Sequence, residues 1–103
     1  MIRPYYTEYV NHMLRYYTRH TPKEVIKMKF KSETDRKNWL AVNRVLHQLP
    51  ERDRDIIFTV FGRGDTVADN IYELSKEMCI RQDTIWNLVS RVSYKIAKER
   101  KLI

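Results

Sequence analysis

A chain of 103 residues with 43% hydrophobic and 12% aromatic residues is long enough to fold as one domain around a modest core. Its 20 basic and 13 acidic residues give a net charge of +7, which suits a polyanionic partner such as DNA or RNA. One cysteine and three scattered histidines offer neither an intramolecular disulfide nor the ligand spacing of a zinc site. The two glycines allow no P-loop or dinucleotide fingerprint. We therefore expect no bound metal ion and no cofactor.

No stretch of the sequence has the apolar length of a membrane span or of a secretory signal. Together with the single cysteine, this favours a protein of the reducing cytoplasm that does not associate with a membrane. No candidate nucleophile has a partner base, and no paired carboxylates lie in an apolar setting. The chain is therefore not expected to be an enzyme, and no catalytic residue is predicted.

Apolar residues recur at helical spacing along most of the chain, which predicts an all-α fold of four or five helices. The predicted helices span residues 4–19, 34–48, 51–61, 67–78 and 82–99. The first holds five of the seven tyrosines, which either pack the core or present a surface to nucleic acid or protein. After it, residues 25–31 (VIKMKFK) alternate in polarity, which predicts a short strand or an extended segment laid over the helices.

Polar residues at the helix boundaries support these limits. Ser32 opens a sequence similar to a capping box, and Thr66 is placed to cap the fourth helix. The two glycines bracket Arg63, which predicts a loop between the third and fourth helices. We expect the basic end of the chain, from residue 95 onward, to fray.

The most informative pattern lies in the last two helices. Residues 78–81 (MCIR) interrupt the helical period, after which a longer helix with a basic end begins. Such a pair is typical of a helix-turn-helix, in which Ile80 should be buried in the turn and the small Ser75 should allow close approach of the helices. The apolar stripe of the last helix consists of Ile85, Leu88, Val89, Val92 and Ile96.

The opposite face of this helix carries side chains that can hydrogen-bond base edges or phosphates. Asparagine pairs well with adenine, and arginine pairs with guanine or phosphate. The alternative is an ordinary solvated helix face with a tryptophan half-packed at its edge. Residues 80–103 carry six basic and two acidic groups, whereas residues 51–79 carry four and seven, an asymmetry that favours a DNA-binding face. The predicted DNA contacts are Arg81, Gln82, Asp83, Trp86, Asn87, Ser90, Arg91, Tyr94 and Lys95.

The sequence around this turn resembles a known signature. LPERDRDII, at residues 49–57, is similar to the opening of the fourth conserved region of bacterial sigma factors. Cys79 stands at the turn glycine of that region and Arg81 at its capping serine, so we expect a left-handed turn residue without glycine and a missing helix cap. ELSKEMCIRQDTI, at residues 73–85, resembles the helix-turn-helix signature of the region at Glu73, Leu74, Ser75, Met78, Ile80, Thr84 and Ile85.

This resemblance implies a short sigma-factor-like transcriptional regulator, of the kind found on bacterial phages and mobile elements. Residues 46–103 would form a region-four-like domain of the winged-helix-like DNA-binding superfamily, and residues 1–45 a tyrosine-rich helical extension and support helix. The implied partners are double-stranded DNA, read by the helix at 82–99, and RNA polymerase. The alternative is a protein-interaction module that binds polymerase, a sigma factor or a second copy, with the helix-turn-helix as scaffold.

Overall fold

The computed structural model describes residues 4–19, 30 and 32–103. In these residues the backbone forms five α-helices and no strand, which confirms the all-α prediction. Of the predicted extended segment only Phe30 is described, so the rest of that prediction lies outside the described residues. The helices are α1 (Thr7–Thr18), α2 (Glu33–His47), α3 (Glu51–Gly62), α4 (Val67–Met78) and α5 (Gln82–Glu99).

The helix boundaries follow the capping residues seen in the sequence. The Ser32 hydroxyl accepts a hydrogen bond from the Asp35 backbone at 3.1 Å, and the Thr66 hydroxyl accepts one from the Asp69 backbone at 3.1 Å. Each such cap contributes about 1 kcal/mol to helix stability. The first helix begins three residues later than predicted, because Pro4 starts a turn in which its carbonyl accepts from the Thr7 backbone.

One apolar core is shared by all five helices. The helix α5 packs against each of the other four, so it lies at the centre of the fold. Within the described residues, no helix combines the length and the apolar content needed to cross a membrane. The largest fully buried side chains come from every helix and include Leu14, Leu46, Phe61, Ile71, Ile85 and Ile96.

The corner between α3 and α4 is held by a buried asparagine. The Asn70 side chain is only 1% exposed, although its position was not predicted to be buried. Its amide nitrogen lies 2.8 Å from the Val60 carbonyl oxygen and within 3.3 Å of the carbonyl oxygens of Arg63 and Asp65. Arg63 also forms an ion pair with Glu77 at 2.7 Å, and this hydrogen bond raises the pKa of the guanidinium. The predicted loop is therefore fixed to the helix that follows it.

The helices α4 and α5 end in the same way. In each, a left-handed residue follows the helix, and the next backbone N–H bonds to a carbonyl five residues earlier, which is the hydrogen-bond pattern of a Schellman motif. At the end of α4 the left-handed residue is Cys79, and Ile80 donates to the Ser75 carbonyl at 3.1 Å. The apolar Ile80 side chain then packs against the core.

At the end of α5 the left-handed residue is Lys101, with a φ of 58°. Leu102 donates to the Ala97 carbonyl at 2.8 Å, packs against the core, and accepts a hydrogen bond from the Tyr5 hydroxyl through its own carbonyl. The prediction that this end frays is therefore wrong, because the left-handed turn brings an apolar side chain back onto the core.

Candidate nucleic-acid interface

Three residues, Cys79, Ile80 and Arg81, connect α4 to α5. Cys79 has φ 55° and ψ 42°, which is the left-handed conformation expected at this position. Arg81 precedes α5 without a side-chain cap, also as expected. Ile80 is only partly buried, so the prediction of a buried turn residue holds in part. Ser75 is buried and donates its hydroxyl to the Tyr72 carbonyl at 2.7 Å, which leaves no polar group unsatisfied there.

The apolar stripe predicted for α5 is buried throughout. Its five residues are each at most 6% exposed, and Ser93 and Ala97 are buried beside them. A face buried against four other helices fixes the rotation of α5 about its own axis. The residues on the opposite side of α5 are consequently held toward solvent.

Eight of the nine predicted DNA contacts are exposed, as the period of the helix requires. The exception is Trp86, which is half-buried and packs against the core, so its ring contributes to folding as well as to this face. Asn87 and Arg91 lie one turn apart, and within the described residues their side chains form no hydrogen bond or ion pair. Their polar groups therefore remain available to a partner.

Two of the predicted contacts interact with each other at the start of α5. A guanidinium nitrogen of Arg81 lies 3.6 Å from a carboxylate oxygen of Asp83, and both side chains are highly exposed. An exposed pair at this distance stabilises the fold by less than about 1 kcal/mol, so it opens readily when a partner competes for either group.

Farther along α5, a lysine and a tyrosine form a cation–π contact. The Lys98 ammonium lies 5.3 Å from the centre of the Tyr94 ring, which is 46% exposed. A similar pair occurs on α4, where the Lys76 ammonium lies 4.1 Å from the centre of the Tyr72 ring. The hydrogen bond with Tyr72 raises the pKa of Lys76. Both pairs place a positive charge beside an exposed flat ring, a combination that suits contact with nucleic acid.

Basic residues of α2 lie beside the C-terminal end of α5, a contact that was not predicted from the sequence. Arg44 lies 3.5 Å from Glu99, and the Arg100 guanidinium donates to the Asn38 side-chain oxygen at 2.5 Å. The basic excess of residues 1–50, with ten basic and four acidic groups, is the feature of the sequence that could have directed attention to this half of the chain. Charge alone does not say which helices are neighbours, so the contact itself was not predicted.

The tyrosines in α1 and just before it divide between the core and its edge. Tyr17 is buried, and its hydroxyl donates to the Asn43 side-chain oxygen at 2.6 Å. Burial raises the pKa of this hydroxyl, and the nearby Arg54 charge opposes that shift in part. Tyr9 accepts a hydrogen bond from Asn38 at 2.9 Å, and Tyr5 is 79% exposed. The core explanation therefore fits Tyr17, whereas Tyr5 and Tyr9 reach the surface.

No group of histidine, cysteine, aspartate or glutamate side chains in the described part of the chain is arranged to hold a metal ion. Comparison of the sequence with protein-family models found no match. Comparisons with curated proteins and with solved structures found none either. The outward face of α5 is therefore the candidate site on the ground of its geometry and chemistry alone.

Proposed function

We propose that this protein binds double-stranded DNA through the outward face of α5, with α4, the three-residue connection and α5 acting as a helix-turn-helix. The observation that supports this most directly is the pair Asn87 and Arg91. Both are exposed, one turn apart, and without an internal partner among the described residues. They lie on a helix whose other side is fully occupied by the core.

The proposed binding mode places α5 in the major groove. The helix has 18 residues and is therefore about 27 Å long, and the major groove admits a helix of this diameter. The NH2 group of the Asn87 side chain can donate to the N7 acceptor of adenine while its carbonyl oxygen accepts from the adjacent N6 amino group. The Arg91 guanidinium matches guanine or a phosphate. Asn87 would then supply base recognition, and Arg91 either base recognition or attachment to the backbone.

Exposed basic residues at both ends of this face would hold the phosphates. Arg81 lies before the first turn of α5, and Lys95 lies one turn beyond Arg91. Phosphate contacts fix the position of a protein on the duplex, whereas base contacts select the sequence. Under this proposal, the two ends of the helix position the protein on the duplex, and the middle of the helix selects the base sequence.

The biological role we propose is that of a sigma-region-four-like regulator of transcription. Its support is the resemblance of residues 49–57 and 73–85 to that region, together with the left-handed Cys79 at the turn position. RNA polymerase is the second partner under this proposal. The alternative is an interaction module that uses the helix pair as scaffold. It predicts binding to polymerase, to a sigma factor or to a second copy of the chain, without DNA binding.

The experiment that separates these functions is selection of bound duplexes from a random pool, carried out with and without bacterial RNA polymerase. Enrichment of one motif by the protein alone supports direct reading of DNA by α5. Enrichment only when polymerase is present supports a regulator that acts together with the enzyme. Recovery of polymerase with no enrichment of any duplex would reject DNA recognition in favour of the interaction module.

A further inference from the structure

A groove lies between α2 and the C-terminal end of α5, and its α2 side lies outside the residues that resemble sigma region four. Five cationic side chains line it against a single carboxylate, so its local charge is strongly positive. The cations are Arg36, Lys37, Arg44, Arg100 and Lys101, and the carboxylate is Glu99. An excess of this size within one groove favours an anionic occupant.

The groove is continuous with the outward face of α5. A second hollow beside it is lined by Lys95 and Lys98 and shares Glu99 and Lys101 with the groove. Lys95 follows Arg91 by one helical turn, so cations lie at each step from the proposed recognition face to α2, and Glu99 is the one carboxylate that lines both hollows. A line of charges fits an extended polyanion better than a single small anion, which would need cations converging on one point.

The five cations of the groove differ in how available they are to an anion. The pair of Arg44 and Glu99 has a distance of 3.5 Å, and the Arg44 side chain is 66% exposed, so it is a weak surface pair. Arg100 is held by Asn38, which fixes its guanidinium in the groove wall. Arg36, by contrast, is already engaged by Glu33 at 2.6 Å. The groove cations expected to contribute most are therefore Lys37, Arg44 and Lys101.

The end of a helix normally presents carbonyl groups that repel anions. Here the backbone N–H groups of Arg100, Lys101 and Leu102 bond to the last carbonyls of α5. The left-handed Lys101 makes this closure and also carries one of the cations of the groove. The groove therefore presents side-chain cations to solvent, with several of the opposing carbonyls already occupied.

From this arrangement we infer that the α2–α5 groove binds the phosphate backbone of the duplex beyond the segment read by α5. This inference rests on the proposed function, since it assumes that α5 lies on DNA. It extends the DNA footprint to α2, a helix that the resemblance assigns no contact. Removing the cationic side chains of the groove should weaken binding to every DNA sequence alike, because phosphates carry no sequence information.

The test compares two duplexes that share the selected site. One ends at the site, and the other continues by about ten base pairs, one helical turn, on each side. The double variant Lys37→Ala/Arg44→Ala should bind the short duplex as the parent does. On the extended duplex, the slope of log affinity against log salt should become less negative by about two units, one for each lost phosphate contact.

The matched control for each single variant, Lys37→Ala and Arg44→Ala, is Arg52→Ala, which removes one positive charge from an exposed residue of α3 outside the groove. It should leave the slope on the extended duplex unchanged. Arg44→Lys keeps the charge and should retain the parental slope, which separates the loss of charge from any change in folding. Thermal unfolding of each variant checks that the fold is intact.

Two results would overturn the inference, and they are distinguishable. If the double variant matches Arg52→Ala in affinity and slope on the extended duplex while the parent binds, the groove is not a DNA contact and the proposed function stands. If the parent binds neither duplex, the proposed function fails and the inference fails with it.

Discussion

The side-chain amide of Asn70 donates to the carbonyl oxygen of Val60 at 2.8 Å, across the corner between α3 and α4. The acceptor belongs to the last turns of α3, where backbone carbonyls lack partners within the helix. One buried side chain thus satisfies a carbonyl group of α3 and also contacts two carbonyls of the loop. The position of α4, and through it the turn before α5, depends on this contact.

Replacing Asn70 with alanine should lower the free energy of unfolding by about 1–3 kcal/mol, because buried carbonyl oxygens lose their donor. Urea unfolding followed by circular dichroism measures the change. Asn87→Ala serves as the control, since the same side chain is removed from an exposed position. Its free energy of unfolding should be close to that of the parent. An Asn70→Ala midpoint equal to that of the parent would contradict the assigned role.

Cys79→Gly should leave stability equal or raise it by up to about 1 kcal/mol. Cys79 is left-handed, and glycine reaches this conformation without the Cβ clash, although its greater freedom in the unfolded chain offsets part of the gain. Cys79→Ala keeps the Cβ and should show no gain, which isolates the backbone effect. A loss of more than about 1 kcal/mol for the glycine variant would show that the thiol contributes packing to the fold.

Tyr17→Phe should change the dependence of stability on alkaline pH. Burial raises the pKa of this hydroxyl above its usual value of 10.0, so its contribution is full below pH 10.0 and is lost as the pH rises through the raised pKa. At neutral pH the variant should lose about 0.5–1.5 kcal/mol with the bond to Asn43. Urea unfolding at several alkaline pH values should show the difference between the two proteins shrinking. Parallel curves would refute the assignment.

On the selected duplex, Asn87→Ala should cost about 1–3 kcal/mol of specific binding, because a bidentate base contact is lost. Arg91→Ala should either weaken binding to all sequences, if it holds a phosphate, or relax one base position. Fluorescence anisotropy with matched and mutated duplexes separates the two. Neither change should affect folding, since both side chains are exposed.

Leu88→Ala is the folding control for these two variants. This side chain is 4% exposed, so its truncation should destabilise the protein by about 2–5 kcal/mol. Well-folded Asn87 and Arg91 variants that bind as the parent does would exclude α5 as the recognition helix. The exposed tyrosines of the N-terminal part of the chain would then become the leading candidates for a functional surface.

Binding to duplex DNA should weaken steeply as salt is added. With about four to six phosphates contacted, the slope of log affinity against log salt should be about −4 to −5. Titrations at several salt concentrations give this slope directly. A flat response, or no binding at low salt, would favour the protein-interaction module.

The burial pattern of α5 was predictable because it depends on the period of one helix. The stripe from Ile85 to Ile96 and the exposure of Asn87 and Arg91 both follow from that period. The half-burial of Trp86 was weighed only as an alternative, because an edge position is decided by the neighbouring helix. The same limit applied to Asn70, whose acceptors come from another helix and from a loop.

The end of α5 shows a different limit of sequence reasoning. The end of the chain was expected to fray because it is basic, and a left-handed lysine is also locally unfavourable. The contact of Leu102 with the core offsets that local cost, and it depends on the position of helices far away in sequence. The groove between α2 and α5 was missed for the same reason, because its cations come from helices that are adjacent only in the folded chain.

The packing of α1 against α5 also has a consequence for how the protein is made. The apolar side chains of α1, among them Val10, are buried in a core that includes Ile96 and Ala97. The ribosome synthesises α1 first and α5 last of the five helices, so α1 cannot be fully covered until α5 has emerged. Nascent chains stalled before residue 82 should consequently expose the apolar face of α1 and be cleaved by protease, whereas released chains should resist.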